Sequence, residues 1–165
     1  MLSNLGNILL FGSIFITLSI IYFTYQNIKE KNILIGKNLV YLSFFQITFI
    51  IASFLLLIFA FVFSDFSLLA VYQNSHTAKP IFYKIAGVWG NHEGSLLLWV
   101  NIMVIFSFLF FLFNYKFNKS YSLYTLLVQN ILILGFLVFL ISNSNPFFKI
   151  LPIPSEGLGL NPILQ

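Results

Sequence analysis

The residues able to do chemistry are concentrated in Tyr83-Lys84-Ile85-Ala86-Gly87-Val88-Trp89-Gly90-Asn91-His92-Glu93-Gly94-Ser95-Leu96-Leu97-Leu98-Trp99. This stretch combines an imidazole, a carboxylate, an ammonium and two indoles with small residues, and runs straight into an apolar segment. Several chemistries are excluded. The position four after His92 is Leu96, so the helical two-histidine zinc pattern is absent. With no Cys, and His76 the only other imidazole, a structural metal has too few ligands. Ser95 has no G-x-S-x-G setting and no Ser/His/Asp arrangement can be picked out, so no catalytic residue is assigned. Two readings stay open. In one the stretch starts a helix, with Asn91 or Ser95 as N-cap, Glu93 at the positive end of the helix dipole, and Trp89 and Trp99 as interfacial anchors. In the other, free helix N–H groups, His92 and Lys84 hold a carboxylate while Trp89 and Tyr83 offer flat apolar faces, which suits a macrocycle with carboxylate arms. The candidate cofactor-handling residues are Trp89, His92, Glu93, Gly94 and Ser95.

The elements that must position them are greasy. The chain is 59% hydrophobic and 7% charged, against about 25% charged in soluble domains, so the class is membrane protein. Its net charge of +4 comes from eight Lys against four acids with no Arg, which argues against nucleic-acid binding. The absence of Cys excludes disulfides, iron–sulfur clusters and covalent haem attachment through C-x-x-C-H within this chain. The apolar runs predict an all-α integral membrane fold of about four transmembrane helices over 7–25, 38–64, 95–115 and 123–141. An outer loop covers 65–94, with an amphipathic stretch at Phe66–Ala78 able to lie in the membrane plane. The first helix reads as retained, since no basic start or small-residue cleavage pattern accompanies it.

The tail, 142–165, holds Pro146, Pro152, Pro154 and Pro162 with Gly157 and Gly159, which forbid a regular helix or central strand, so it is expected to be an extended segment packed on something or awaiting a partner. Lys29, Lys31, Lys37, Lys116 and Lys119 fall in the two short turns, against Lys79, Lys84 and Lys149 in the longer segments, and the positive-inside rule places the short turns on the cytoplasmic or matrix face. Both termini and the Trp89–Ser95 loop are then expected on the periplasmic or intermembrane-space face. Gln46, Asn101, Gln129 and Asn130 lie within spans, are not ionisable, and are expected to hydrogen-bond between helices. The wealth of Phe, Ile, Leu, Asn, Lys and Tyr without Arg suits an AT-rich genome, hence a mitochondrial inner membrane or, alternatively, a bacterial one.

Trp89-Gly90-Asn91-His92-Glu93-Gly94-Ser95-Leu96-Leu97-Leu98-Trp99 resembles the signature W-G-x-H-E-G-S-x-L-L-W of the cytochrome c-type biogenesis protein CcmF, the haem lyase subunit family. Asn74-Ser75 with Thr77, Pro80 and Tyr83-Lys84 agree in order, as do Ser144-Asn145-Pro146-Phe147 and Gly157 followed by Leu160-Asn161-Pro162 and Leu164-Gln165. Family members are several times longer, so the resemblance is to their N-terminal portion. The tryptophan-rich segment and the haem-ligand histidines of the family lie beyond it. The resemblance implies haem transfer and thioether attachment to apocytochrome c on the outer face, with haem b in the assembled complex. It implies as partners the remaining CcmF portion on a separate chain where the gene is split, other maturation proteins including a haem chaperone, and apocytochrome c. The alternative is a small structural subunit of a respiratory or transport membrane complex.

Overall fold

The computed structural model describes residues 1–30 and 33–159, with side chains outside 30–37. The sequence readings that fall on Lys31, on the side chains of Glu30 and Lys37, and on Leu160 to Gln165 lie outside the described residues. The described chain is helical: α1 Leu2–Glu30, α2 Ile33–Val62, α3 Leu69–Asn74, α4 Ile81–Trp89, α5 His92–Asn114 and α6 Lys119–Asn143. Four stretches, Leu2–Lys29, Asn38–Val62, His92–Asn114 and Lys119–Asn143, are long and apolar enough to cross a membrane. At about 1.5 Å per residue, each exceeds a hydrocarbon core of about 30 Å.

The long helices form a ring in which α1 packs on α2 and α6, and α5 packs on α2 and α6. Its interior is read from the 3–4 spacing of buried positions. On α6 these are Leu123, Leu126, Asn130, Ile133, Leu137 and Leu140. One end of the core gathers Leu10, Leu57, Phe61, Val88, Leu97 and Phe147. Ile50, Val100, Val104, Ile133 and Leu137 fill the middle, and Ile20, Leu39, Phe111, Leu123 and Leu126 fill the other end.

Between the last two clusters lies a layer of polar side chains. Gln46 Nε2 donates to Thr17 Oγ1 at 2.8 Å and to Asn130 Oδ1 at 2.9 Å, linking α2 to α1 and α6. Thr17 in turn donates to Ser13 O, and Asn130 Nδ2 to Leu126 O. The expected interhelical bonding is met by Gln46 and Asn130. Asn101 differs, because its amide donates to a carbonyl of its own helix one turn back, Leu97 O, at 2.8 Å. Gln129 Oε1 is buried without a hydrogen-bond partner.

The start of α1, the corner between α4 and α5, and the tail after α6 all meet at one end of the bundle. Ser3 Oγ donates to Phe147 O across that end, and the Phe147 side chain is fully buried beneath it. The tail runs back along the loop before α3, where Leu69 N donates to Phe148 O and Ile150 N donates to Ser67 O.

Candidate functional site at the tail-capped end

The capped end is built from helix terminations. α2 stops because Ser64 adopts φ 55°, in the left-handed region. Asp65 N then reaches Ala60 O and Ser64 N reaches Phe61 O, the paired bonds of a Schellman end. Lys84, buried on α4, donates from Nζ to Ser64 Oγ at 2.7 Å. Its ammonium therefore sits at the carbonyl end of α2, where the helix dipole favours a cation. This removes Lys84 from the group expected to gather around His92.

α4 and α5 are separated by Gly90 and Asn91 alone, and Asn91 makes the corner. Its Oδ1 accepts from Gly94 N at 2.7 Å, while Nδ2 donates to Gly87 O at 2.7 Å and Val88 O at 3.0 Å. One amide thus caps the start of α5 and the end of α4 together. Of the two cap candidates, Asn91 is the one used, and α5 begins at His92 rather than Ser95. His92, Glu93 and Gly94 are consequently the first turn of a helix, and Ser95 Oγ turns back onto His92 O at 3.0 Å. Gly94 lies directly against Val88, whose carbonyl a Cβ at position 94 would overlap.

His92 is joined to the far side of the bundle. Its Nδ1 lies 3.1 Å from the hydroxyl of buried Ser144, the residue that ends α6. The contact fixes the ring through Nδ1, with the proton on either partner according to tautomer, and leaves Nε2 as the unengaged nitrogen of an exposed residue. Ser144 opens the segment that closes the end. Asn145 Nδ2 donates to Asn7 Oδ1 at 2.8 Å, and Phe147 N donates to Asn145 Oδ1 at 2.9 Å. Trp89, 47% exposed, and Tyr83, 65% exposed, present their rings outward from α4, and Trp99 projects from α5 at 62% exposure.

A second set of bonds straps the tail to the α3–α4 loop. Glu156 accepts from Thr77 Oγ1 at 2.6 Å and from Thr77 N at 3.0 Å, with His76 Nε2 at 3.9 Å. The Thr77 hydroxyl, then the Thr77 and Gly157 amides, hold its carboxyl down at about 2. Leu158 N and Gly159 N donate to Tyr72 O and Ser75 O. Lys79 caps the end of α3 through Asn74 O at 2.8 Å, and burial lowers its pKa.

Chemically, this surface offers one oriented imidazole, the Glu93 carboxylate in a helix first turn, and exposed aromatic rings. Among the described residues no group of three or more His, Asp or Glu side chains could hold a metal ion. The imidazole of His92 and the ring of Trp89 are both exposed on this surface. Ser144, Asn145, Asn7 and Glu156 were not singled out by residue chemistry. Ser144 and Asn145 were visible only as part of the Ser-Asn-Pro-Phe resemblance, and nothing in the sequence pairs them with His92 or Asn7.

No family model matches the chain. The cytochrome c-type biogenesis protein CycK of Rhizobium meliloti is 49% identical over 113 residues, which is 68% of this chain and 17% of that protein. CcmF of Escherichia coli is 42% identical over 114 residues, 68% of this chain and 18% of its own length. CcmF of Haemophilus influenzae is 32% identical across 100% of this chain and 26% of that protein. The solved structure of the cytochrome c haem lyase CcmF superposes with a TM-score of 0.80 at 21% identity, over 89% of this chain and 25% of that one, so the fold is shared. The chain spans about a fifth of the length of the curated relatives it matches. It belongs to the CcmF family of cytochrome c-type biogenesis proteins, as their N-terminal portion.

Proposed function

We propose that this chain is the part of a cytochrome c haem lyase that presents one edge of the haem-handling face, with haem as substrate and apocytochrome c as acceptor. Haem chaperone, apocytochrome and the remaining family polypeptide meet at the tail-capped end, which faces the intermembrane space of a mitochondrion. The composition and the lysine distribution support that placement, since in the sequence the two short turns hold Lys29, Lys31, Lys37, Lys116 and Lys119 against Lys79, Lys84 and Lys149 in the longer segments of the capped end. The observation that carries the reading is the joining of the two separated stretches of family resemblance by His92 and Ser144.

The geometry divides the labour within the signature. Asn91, Gly94 and Ser95 are accounted for by the α4–α5 corner. Trp89, His92 and Glu93 are left facing outward, and are the residues for haem: Trp89 by ring stacking, His92 by its free Nε2, and Glu93 by orienting charge beside them. In this reading the chain's contribution is to position haem.

The test replaces Trp89 and His92 together by Ala and measures covalent c-type cytochrome in membranes. Loss of most of the c-type haem, with the variant chain accumulating normally and still co-purifying with maturation proteins, is the expected result. Normal cytochrome levels would leave the corner as a structural helix start and favour a small structural subunit instead.

A further inference from the structure

Helix α6 has a second face with the periodicity of an interface. Its buried seam uses Leu123, Leu126, Asn130, Ile133, Leu137 and Leu140 against the bundle. The opposite side repeats the same 3–4 spacing with Tyr121, Tyr124, Val128, Ile131, Gly135 and Val138, all exposed. Such spacing is what one helix shows another.

Gly135 is the informative member of this seam. A Cβ there would meet nothing within 4 Å, so no contact inside the chain requires glycine. Glycine in a helix interior costs about 1 kcal/mol relative to alanine. In membranes small residues let a second backbone approach closely. Gly135 floors an apolar groove of about 340 Å³ with Leu96, Ile131, Leu132, Phe136 and Phe139. A second groove of about 270 Å³ continues along α6 past Tyr124, Val128 and Gln129, whose amide oxygen lacks a partner. Exposed rings stand on α1 and α2 as well, among them Phe15, Tyr22, Phe44 and Phe59, but the glycine-floored groove is on α6.

We infer that the Gly135 groove of α6 seats a transmembrane helix from the part of the family protein beyond this segment. The inference rests on the haem lyase reading above. The occupant is argued from proportion: the segment is 17–26% of the relatives' length and 25% of the solved haem lyase chain, so most of such a protein lies outside these four helices and is available to cover them. A hydrocarbon-depth groove accepts only a helix from that remainder.

The test places a photo-crosslinking benzoylphenylalanine at Leu132, and in a separate variant at Phe15, in native membranes, with adducts identified by mass spectrometry. Leu132 is expected to capture a peptide from the remainder of the family protein at least tenfold more than Phe15. Gly135→Leu, whose Cβ meets nothing within the chain, should leave accumulation unchanged and melting unchanged or raised by the better helix former, while reducing that adduct about tenfold. Adducts only with lipid or with a second copy would overturn the docking site, as would an adduct indifferent to Gly135→Leu. Capture of the same peptide from Phe15 alone would move the docking face and leave the haem lyase reading standing. Failure of that reading would show separately, as normal c-type cytochrome in the Trp89 and His92 double variant.

Discussion

Gly94 shows how a single position fixes the site. α4 ends and α5 begins within two residues, and the first turn of α5 is pressed against the last carbonyls of α4. A Cβ at Gly94 would overlap Val88 O, an acceptor already used by Asn91 Nδ2. Backbone cannot move aside as a flexible side chain can, so Gly94→Ala is expected to cost about 2 kcal/mol or more. Gly90→Ala is the control: its φ of −76° is ordinary, and the added Cβ would meet Ala86 O at 3.3 Å. That contact relaxes with shifts of tenths of an ångström, at a cost under about 1 kcal/mol. Thermal unfolding in detergent, followed by the fluorescence of Trp89 and Trp99, checks both. In the sequence, the small residues and the two possible caps at Asn91 and Ser95 were legible, because capping is local chemistry. The overlap with Val88 was not, since it depends on the angle at which two helices meet. Lys84 was misread for a similar reason. Its partner Ser64 lies at the end of α2, twenty positions earlier, in a conformation that sequence does not announce.

Among the elements, the four spans were legible as apolar runs, and their polar interior was legible in part. An amide inside hydrocarbon needs a partner, which pointed to Gln46, Asn101, Gln129 and Asn130, and the bonding between helices is found at Gln46 and Asn130. Which helix supplies the partner is decided by the ring order α1–α2–α5–α6, and Asn101 escapes by bonding its own helix. The Gln46 amide is the centre of the layer, since it alone links α1, α2 and α6 through Thr17 and Asn130. Gln46→Leu removes both bonds and strands Asn130 Oδ1, so a loss of about 1–3 kcal/mol is expected, from side-chain bonds averaging about 0.6 and reaching about 1.7 kcal/mol each in membranes. A cycle with Asn130→Leu separates the pair from packing. Coupling indistinguishable from zero, read from detergent or steric-trap unfolding, would show the layer to be packed rather than bonded.

The molecule as a whole is closed at one end by its own tail, whose path depends on Phe147 buried beneath the start of α1 and on the Glu156 strap. Gly6 faces the Phe147 ring so closely that a Cβ would fall within it, so α1 and the tail are fitted to each other across almost the whole chain length. The prolines made a non-helical tail legible, packed on something or awaiting a partner, whereas the residues that hold it were not, because Glu156 and Thr77 carry no pattern that pairs them. The strap has a defined pH response. Its carboxyl sits near 2 in the folded protein, below the ordinary 4.5, chiefly because the ionised form accepts the Thr77 hydroxyl and amide. A depressed carboxylate contributes stability that is present in full above the ordinary value and is lost as pH falls through the folded one. The amides of Thr77 and Gly157, corrected for intrinsic exchange, should therefore keep constant protection from pH 8 to about 5 and lose it on acidification from about 4.5 towards 2. Thr77→Val deletes the largest cause, so the midpoint of that loss should move upward while protection deep in α5 stays unchanged. If protection at Thr77 instead declined between pH 8 and 5, ionisation of the Glu156 carboxyl would not be what controls the strap.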